Sequence, residues 1–396
     1  RGLGLKKEVA QELDTDYAST VIDYLRVNDY TIQLGDMTVY LAKEFGFCYG
    51  VDRAVDYAYQ TRRKFPDKRV FLTGEIIHNP HVNNKMIEMG IGFLSGQYAN
   101  GNSYETVQPE DVVILPAFGV TIKEMQFLSK NGCILVDTTC GSVLNVWKRV
   151  EQYARDAFTS IIHGKYWHEE TLATSSQTRK YPNAHYLVVL DMKETEMVCE
   201  FIAGRWNKQA FTDYFRKAMS EGFDPDVHLQ KIGVANQTTM LSNESLAIGK
   251  RIEKEIANKC GEENLAKHFR TFDTICSATQ ERQDAIMELV ENEKLDVMLI
   301  LGGYNSSNTG HLAEIASEYA SAYHIDDARC LKSASVLRHK PVGKKDEIEQ
   351  KAWLPDGKLN LGITAGASTP NNKIGEVIAR LAELRGIAIE NVVFNR

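Results

Sequence analysis

Three stretches of this chain are built to one plan. TVYLAKEFGFCYGVDRAVDYA, CILVDTTCGSVLNVWKRV and FRTFDTICSATQERQDAIMELV each pass from a strand-like apolar run into a cysteine, and from there into a segment of helical spacing. In the first helix Val51, Ala54, Val55 and Ala58 fall at i, i+3, i+4 and i+7. Val143, Val146, Trp147 and Val150 do the same in the second, and Ile286, Leu289 and Val290 share a face in the third. Cys48, Cys140 and Cys276 therefore each stand just past the C-terminal end of a strand.

Six further runs complete the pattern. VFLTGEIIHNPHV, SIIHGKYWHEET and VMLILGGYNSSNTGHL follow the three cysteine segments, and VVILPAFGV, KIGVANQTTM and LGITAGASTP follow those. Nine apolar runs leading into polar, glycine-rich or hydroxyl-rich loops, most of them followed by helical spacing, predict an α/β protein with mainly parallel sheets. In open α/β sheets ligands bind beyond the carboxyl ends of the strands, so three such domains would turn nine loops toward one centre.

Composition sets the outer bounds. The 396 residues, 43% hydrophobic and 25% charged, suit two or three globular domains. No run approaches the ~18 apolar residues of a membrane span, and no charged segment followed by an apolar one opens the chain. A soluble, non-secreted protein is expected, although the chain begins with Arg1 rather than Met and the compartment stays open. The formal charge of −7 argues against a general nucleic-acid binder. Seven scattered cysteines, with no CxxC pair among them, argue against a disulfide framework and against zinc-ribbon spacing. Any metal must take its ligands from distant segments.

A lone buried cysteine is more often a small core residue than a ligand, but three at matched positions are a different case. Cys133, Cys199, Cys260 and Cys330 lack that context and are read as ordinary thiols. Three thiolates suit zinc with a histidine or water as fourth ligand, or a cubane cluster with one iron left open. The second would suit reductive or dehydrative removal of a hydroxyl group. His78, His168, Ser306, Ser307, Asn308 and the hydroxyls of AGAST make a phosphate-binding inventory, without a Walker A or GxGxxG motif. Taken singly each is more often a cap or a core residue. Glu169 and Glu170 read as solvated surface charges.

Together GFCYGVDRA, EIIHNPHV, VDTTCGSV, IIHGKYWHEET, ANQTTML, TICSATQERQDA, GGYNSSNT and GITAGASTP resemble the LytB-type 4-hydroxy-3-methylbut-2-enyl diphosphate reductases, in order from about residue 38 to 370. IIHGKYWHEET, ERQDA and the stretch with GFDPD look like the cyanobacterial and plastid branch, as does the segment 1–37. The resemblance implies a pseudo-threefold trefoil of three similar α/β domains around a central iron–sulfur cluster. Their bounds would be 38–136, 137–270 and 271–368, after an N-terminal extension 1–37 and before a C-terminal helix and tail 369–396.

It implies one 4Fe–4S cluster on Cys48, Cys140 and Cys276, with a fourth iron open. His78, His168, Ser306, Ser307, Asn308 and Ser368 match the diphosphate-holding positions, Glu170 matches the acid, and Thr238 its partner near the substrate hydroxyl. Reductive dehydroxylation would give isopentenyl and dimethylallyl diphosphates, with electrons from a ferredoxin or flavodoxin. The compartment would be the cytoplasm of a bacterium or a plastid stroma. Two positions depart from the commoner bacterial pattern: Phe118 replaces a histidine in PAFGV, and Gly141 replaces a proline after the second cysteine, which is expected to loosen that turn. A quinolinate-synthase-like dehydratase would want carboxylate-binding arginines in the substrate loops, where histidines and hydroxyls stand instead. A phosphate binder with structural zinc is the reading from another class.

Overall fold

The computed structural model describes residues 3–272 and 274–393. They form two compact units. One takes the residues up to Asp67, Glu75–Gly92 and those from Ser277 onward; the other takes Lys68–Gly74 and Phe93–Cys276. The chain is α/β with mainly parallel sheets, as expected.

In the first unit the principal sheet runs Thr31–Leu34, Met37–Leu41, Leu359–Ala365, Val297–Leu301, Ser321–Ile325, and the last four strands are parallel. Thr31–Leu34 is added antiparallel through a tight turn at Gly35 and Asp36, where Gly35 supplies φ +62°. Val297, Leu299 and Leu301 face one core with Leu361 and Ile363, while Met298 and Ile300 face another with Ile286, Leu312 and Ala316. This is why VMLIL is apolar at every position: a strand covered on both faces leaves no room for alternation. Helix Asn371–Leu384 seals the first face with Ile374, Val377, Ile378 and Leu381, at the spacing of one helical stripe. Ile22 and Leu25 of the short helix Thr20–Arg26 lie fully buried in the same cluster. The N-terminal extension is thus part of this core.

The second unit holds two parallel sheets. One pairs Val70–Leu72, Val112–Leu115 and Ile134–Asp137. The other runs Phe269–Thr271, Ile232–Asn236, Thr159–His163, Tyr186–Val189. The helix Gly141–Arg155 buries Val146, Val150 and Tyr153 against Ala235. Gly233 is what lets it in, since a Cβ there would stand 2.4 Å from the Tyr153 ring.

Each of the three principal sheets contains one cysteine strand, but the pairing does not follow the sequence order of the repeats. The strand leading to Cys48 lies beside Leu359–Ala365, the strand of the last repeat. The strand leading to Cys140 joins those of the PAFGV and TGEIIHNP loops, and the strand leading to Cys276 joins those of ANQTT and IIHGKYW. Among the described residues no helix is long and apolar enough to cross a membrane.

Candidate functional site

In the first unit, Cys48 is the N-cap of helix Tyr49–Lys64 and makes no capping bond with its own side chain. Its N–H donates to the Ala367 carbonyl at 3.2 Å, and the Ala367 N–H donates to Asn308 Oδ1 at 2.9 Å. One residue on, the Ser368 hydroxyl donates to the His78 carbonyl at 3.2 Å. Cys48, Asn308, Ser368 and His78 are thereby joined in a short chain of hydrogen bonds. Asn308 is 2% exposed, and with its oxygen engaged its Nδ2 is a buried donor with no partner among the described residues. Such a donor is costly to leave unmet unless something is meant to meet it.

Ser306 caps helix Ser307–Ser317, accepting from the Thr309 N–H at 3.2 Å, so the ordinary N-cap reading holds for it. Ser307 and Asn308 are then the first helical residues, where backbone N–H groups have no intrahelical acceptor. His78 Nδ1 lies 2.8 Å from Glu75 Oε2 and donates to it, which turns Nε2 away from that carboxylate. The loop around His78 is closely packed: a Cβ on Gly303 would stand 2.2 Å from the His78 carbonyl oxygen. Gly303→Ala is expected to lose about 1–3 kcal/mol of unfolding free energy, the scale of overpacking a well-filled interior. A denaturant midpoint equal to that of the unaltered protein would show the loop yields freely.

Arg282 was not singled out from the sequence, yet it is 3% exposed and organises the approach to Cys48. Its guanidinium donates to the Gly46 carbonyl at 2.7 Å and to the Ala278 carbonyl at 2.8 Å. The available signal was a charged residue inside the apolar spacing of ERQDAIMELV.

In the second unit, Cys140 is the N-cap of Gly141–Arg155, and its N–H donates to Ala117 O at 3.0 Å. Gly141 is the first helical residue, with open space where a Cβ would be. The Ser142 hydroxyl donates to Cys276 Sγ at 3.4 Å, which ties the first turn of the helix that Cys140 caps to Cys276. The Cys276 N–H donates to the Thr238 carbonyl at 3.2 Å.

Thr238 in turn faces Glu170. Its N–H donates to Oε1 at 2.6 Å and its hydroxyl meets Oε2 at 2.9 Å. Glu170 is 1% exposed, whereas the Glu169 side chain is 59% exposed. The reading of both as solvated charges therefore fails for Glu170, because the helix Glu169–Ser176 turns its second residue inward and its first outward. His168 caps that helix with Nδ1, accepting from the Glu170 N–H at 3.1 Å, so in the neutral ring the proton sits on Nε2. Phe118 meets the His168 ring edge-on at 5.8 Å, a packing contact in place of a donor. Gln237, also missed from sequence, holds the loops together by accepting from the Thr171 hydroxyl at 3.1 Å and from the Lys165 N–H at 3.2 Å.

Two of the other cysteines behave differently. Cys199 and Cys330 are buried; burial pushes the Cys199 thiol up to about 12, and burial together with Asp326 raises that of Cys330. Thiols held in the protonated form are poor ligands. Cys48, Cys140 and Cys276 lie outside any disulfide and are partly exposed, each immediately before a helix start.

Comparison with known proteins follows the same lines. The LytB protein family model matches residues 39–382. The 4-hydroxy-3-methylbut-2-enyl diphosphate reductase of Gloeobacter violaceus is 49% identical over 391 residues, covering 98% of this chain and 92% of that protein. The reductase of Crocosphaera subtropica is 48% identical over 391 residues, covering 98% and 95%. Among solved structures, (E)-4-hydroxy-3-methyl-but-2-enyl diphosphate reductase, described as the terminal enzyme of the non-mevalonate pathway, aligns with TM-score 0.51 and 27% identity over 87% of this chain and 99% of the other. The Plasmodium falciparum reductase aligns with TM-score 0.60 at 20% identity, over 86% of each chain, a likeness of fold.

Proposed function

The chain belongs to the LytB family, and on that premise we propose that it is a 4-hydroxy-3-methylbut-2-enyl diphosphate reductase. It would replace the allylic hydroxyl of its substrate with hydrogen, consuming two electrons and two protons and releasing water, to give isopentenyl and dimethylallyl diphosphates. The observation that carries this is the near full-length identity to relatives bearing that name, 98% of this chain against 92% of the Gloeobacter protein.

Cys48, Cys140 and Cys276 are the proposed ligands of a 4Fe–4S cluster. Their fit is chemical: soft thiols, outside any disulfide, each followed by a helix start. When bound, such a cluster supplies stored electrons and an iron open to the substrate oxygen. The rest falls to side chains. The substrate's diphosphate is held by His78, His168, Ser306, Ser307, Asn308 and Ser368. In support, the Asn308 amide offers an unmet buried donor, and the helix Ser307–Ser317 offers the positive end of its dipole.

Thr238 and Glu170 are assigned to the hydroxyl end of the substrate. Their 2.9 Å contact lets a proton held on Glu170 pass to Thr238 Oγ1 as Thr238 gives its own to the departing oxygen, and so no bulk water is needed at that point. The electrons come from a ferredoxin or flavodoxin.

His168→Ala and Asn308→Ala are each expected to weaken substrate binding roughly 10–150-fold, the worth of one charge-assisted hydrogen bond, with iron content unchanged. Titration of substrate against the anaerobic protein measures this, and wild-type affinity in both variants would remove them from the diphosphate site. The function itself is tested by anaerobic purification. A brown protein containing iron and sulfide, which converts the hydroxylated diphosphate under reduced methyl viologen, is expected. A colourless zinc protein without turnover would return the molecule to the class of phosphate binders.

A further inference from the structure

We propose that the helix face around Lys148 and Arg149 is the landing surface for an acidic electron-carrier protein; this rests on the reductase reading above. Each turnover of that reaction needs two electrons, and the sequence carries no flavin or nicotinamide motif that would store them. They must enter from a partner, at a place on the surface that leads directly to the cysteines.

Within the second unit a cavity of about 470 Å³ does so, lined by Ser142, Asn145, Lys148, Arg149, Gln152 and the Thr274–Ile275 backbone segment. Ser142 donates to Cys276 Sγ, and Ile275 is its chain neighbour, so the floor of this cavity is one contact from a proposed ligand. Its wall is cationic. The helix Gly141–Arg155 carries Lys148, Arg149 and Arg155 against the single carboxylate Glu151, which Lys180 engages at 2.6 Å. The Arg149 guanidinium carbon stands 3.9 Å from the centroid of the Phe272 ring, a cation–π contact that holds its charge at the rim. Lys148 is exposed. On a chain of net charge −7, this concentration of positive charge beside a cysteine sulfur favours an anionic partner.

A second cavity, within the first unit, reaches Cys48, but it is lined by Asp14, Asp23 and Asp52 against Arg26. An acidic carrier would be repelled there. Charge therefore assigns the carrier to the Lys148 face.

The test uses the whole anaerobic protein with a reduced 2Fe–2S ferredoxin of net negative charge as donor. Lys148→Glu together with Arg149→Glu should raise the KM for ferredoxin roughly 10- to 100-fold and flatten its dependence on ionic strength, the scale of lost electrostatic steering. Iron content, substrate KM and turnover with methyl viologen should stay at wild-type values. Lys148→Ala with Arg149→Ala should give a smaller change in the same direction. Asp14→Asn with Asp23→Asn should not raise the ferredoxin KM. An unchanged ferredoxin KM in the Glu variant, or a rise confined to the substrate KM, would overturn the docking surface. Absence of viologen-driven turnover in the unaltered protein would instead overturn the reductase reading.

Discussion

Cys140→Ser is expected to leave a protein with little or no bound iron and no measurable reductase turnover, and Cys48→Ser and Cys276→Ser likewise. A serine hydroxyl is a hard, weakly acidic donor and a poor substitute for thiolate on iron. The Cys140 position makes the experiment clean. The side chain makes no capping bond and the residue's N–H to Ala117 belongs to the backbone, so the substitution leaves helix Gly141–Arg155 its start. Cys260→Ser, at the end of a helix away from any strand end, should keep iron and activity and serves as the control. Iron and sulfide assays with circular dichroism separate loss of metal from loss of fold. A folded Cys140→Ser protein with full iron and turnover would mean that the three matched cysteines are not ligands.

Glu170→Gln should retain the brown colour and bind substrate, yet lose roughly 10²–10⁴-fold in turnover, the usual worth of a positioned general acid. Glutamine keeps the shape of the side chain and an oxygen that accepts from the Thr238 N–H, but it has no proton to pass. The effect belongs in kcat rather than KM, because the proton moves only as the C–O bond breaks. Glu169→Gln, one residue away and exposed, should be near neutral. Equal losses at both positions would point to a shared electrostatic effect, and full activity in Glu170→Gln would take the carboxyl out of the mechanism.

Much of this was legible in the order of residues. The strand, cysteine, helix plan carries its own periodicity, and the faces it predicts are buried: Val51, Ala54, Val55 and Ala58 in one helix, Val143, Val146, Trp147 and Val150 in another. Local spacing reports local structure. It did not report that Met37–Leu41 lies beside Leu359–Ala365, because strand pairing at that separation leaves no trace in a period of two or three and a half residues. Nor did it distinguish Glu170 from Glu169. Adjacent carboxylates at a helix start look alike in a string, and only the partner Thr238, brought from the ANQTT loop, decides which of them is held inside. Arg282 and Gln237 were hidden for a related reason. Each does its work by bonding to backbone or side chains of a different segment, and a polar residue bridging loops has no pattern of its own.

The pairing of Met37–Leu41 with Leu359–Ala365 also sets a timetable for biosynthesis. The unit formed mostly by the continuous stretch Phe93–Cys276 has all of its chain once Cys276 has left the ribosome. Of its principal sheet the other unit has at first only the two-stranded hairpin Thr31–Leu34 with Met37–Leu41, and the strand that pairs with that hairpin, Leu359–Ala365, is translated near the end. A hairpin alone is marginal in water, and its open edge is a surface on which other nascent chains can add. The half of the molecule that begins first is finished last, and in the interval between, that edge is open to non-native pairing.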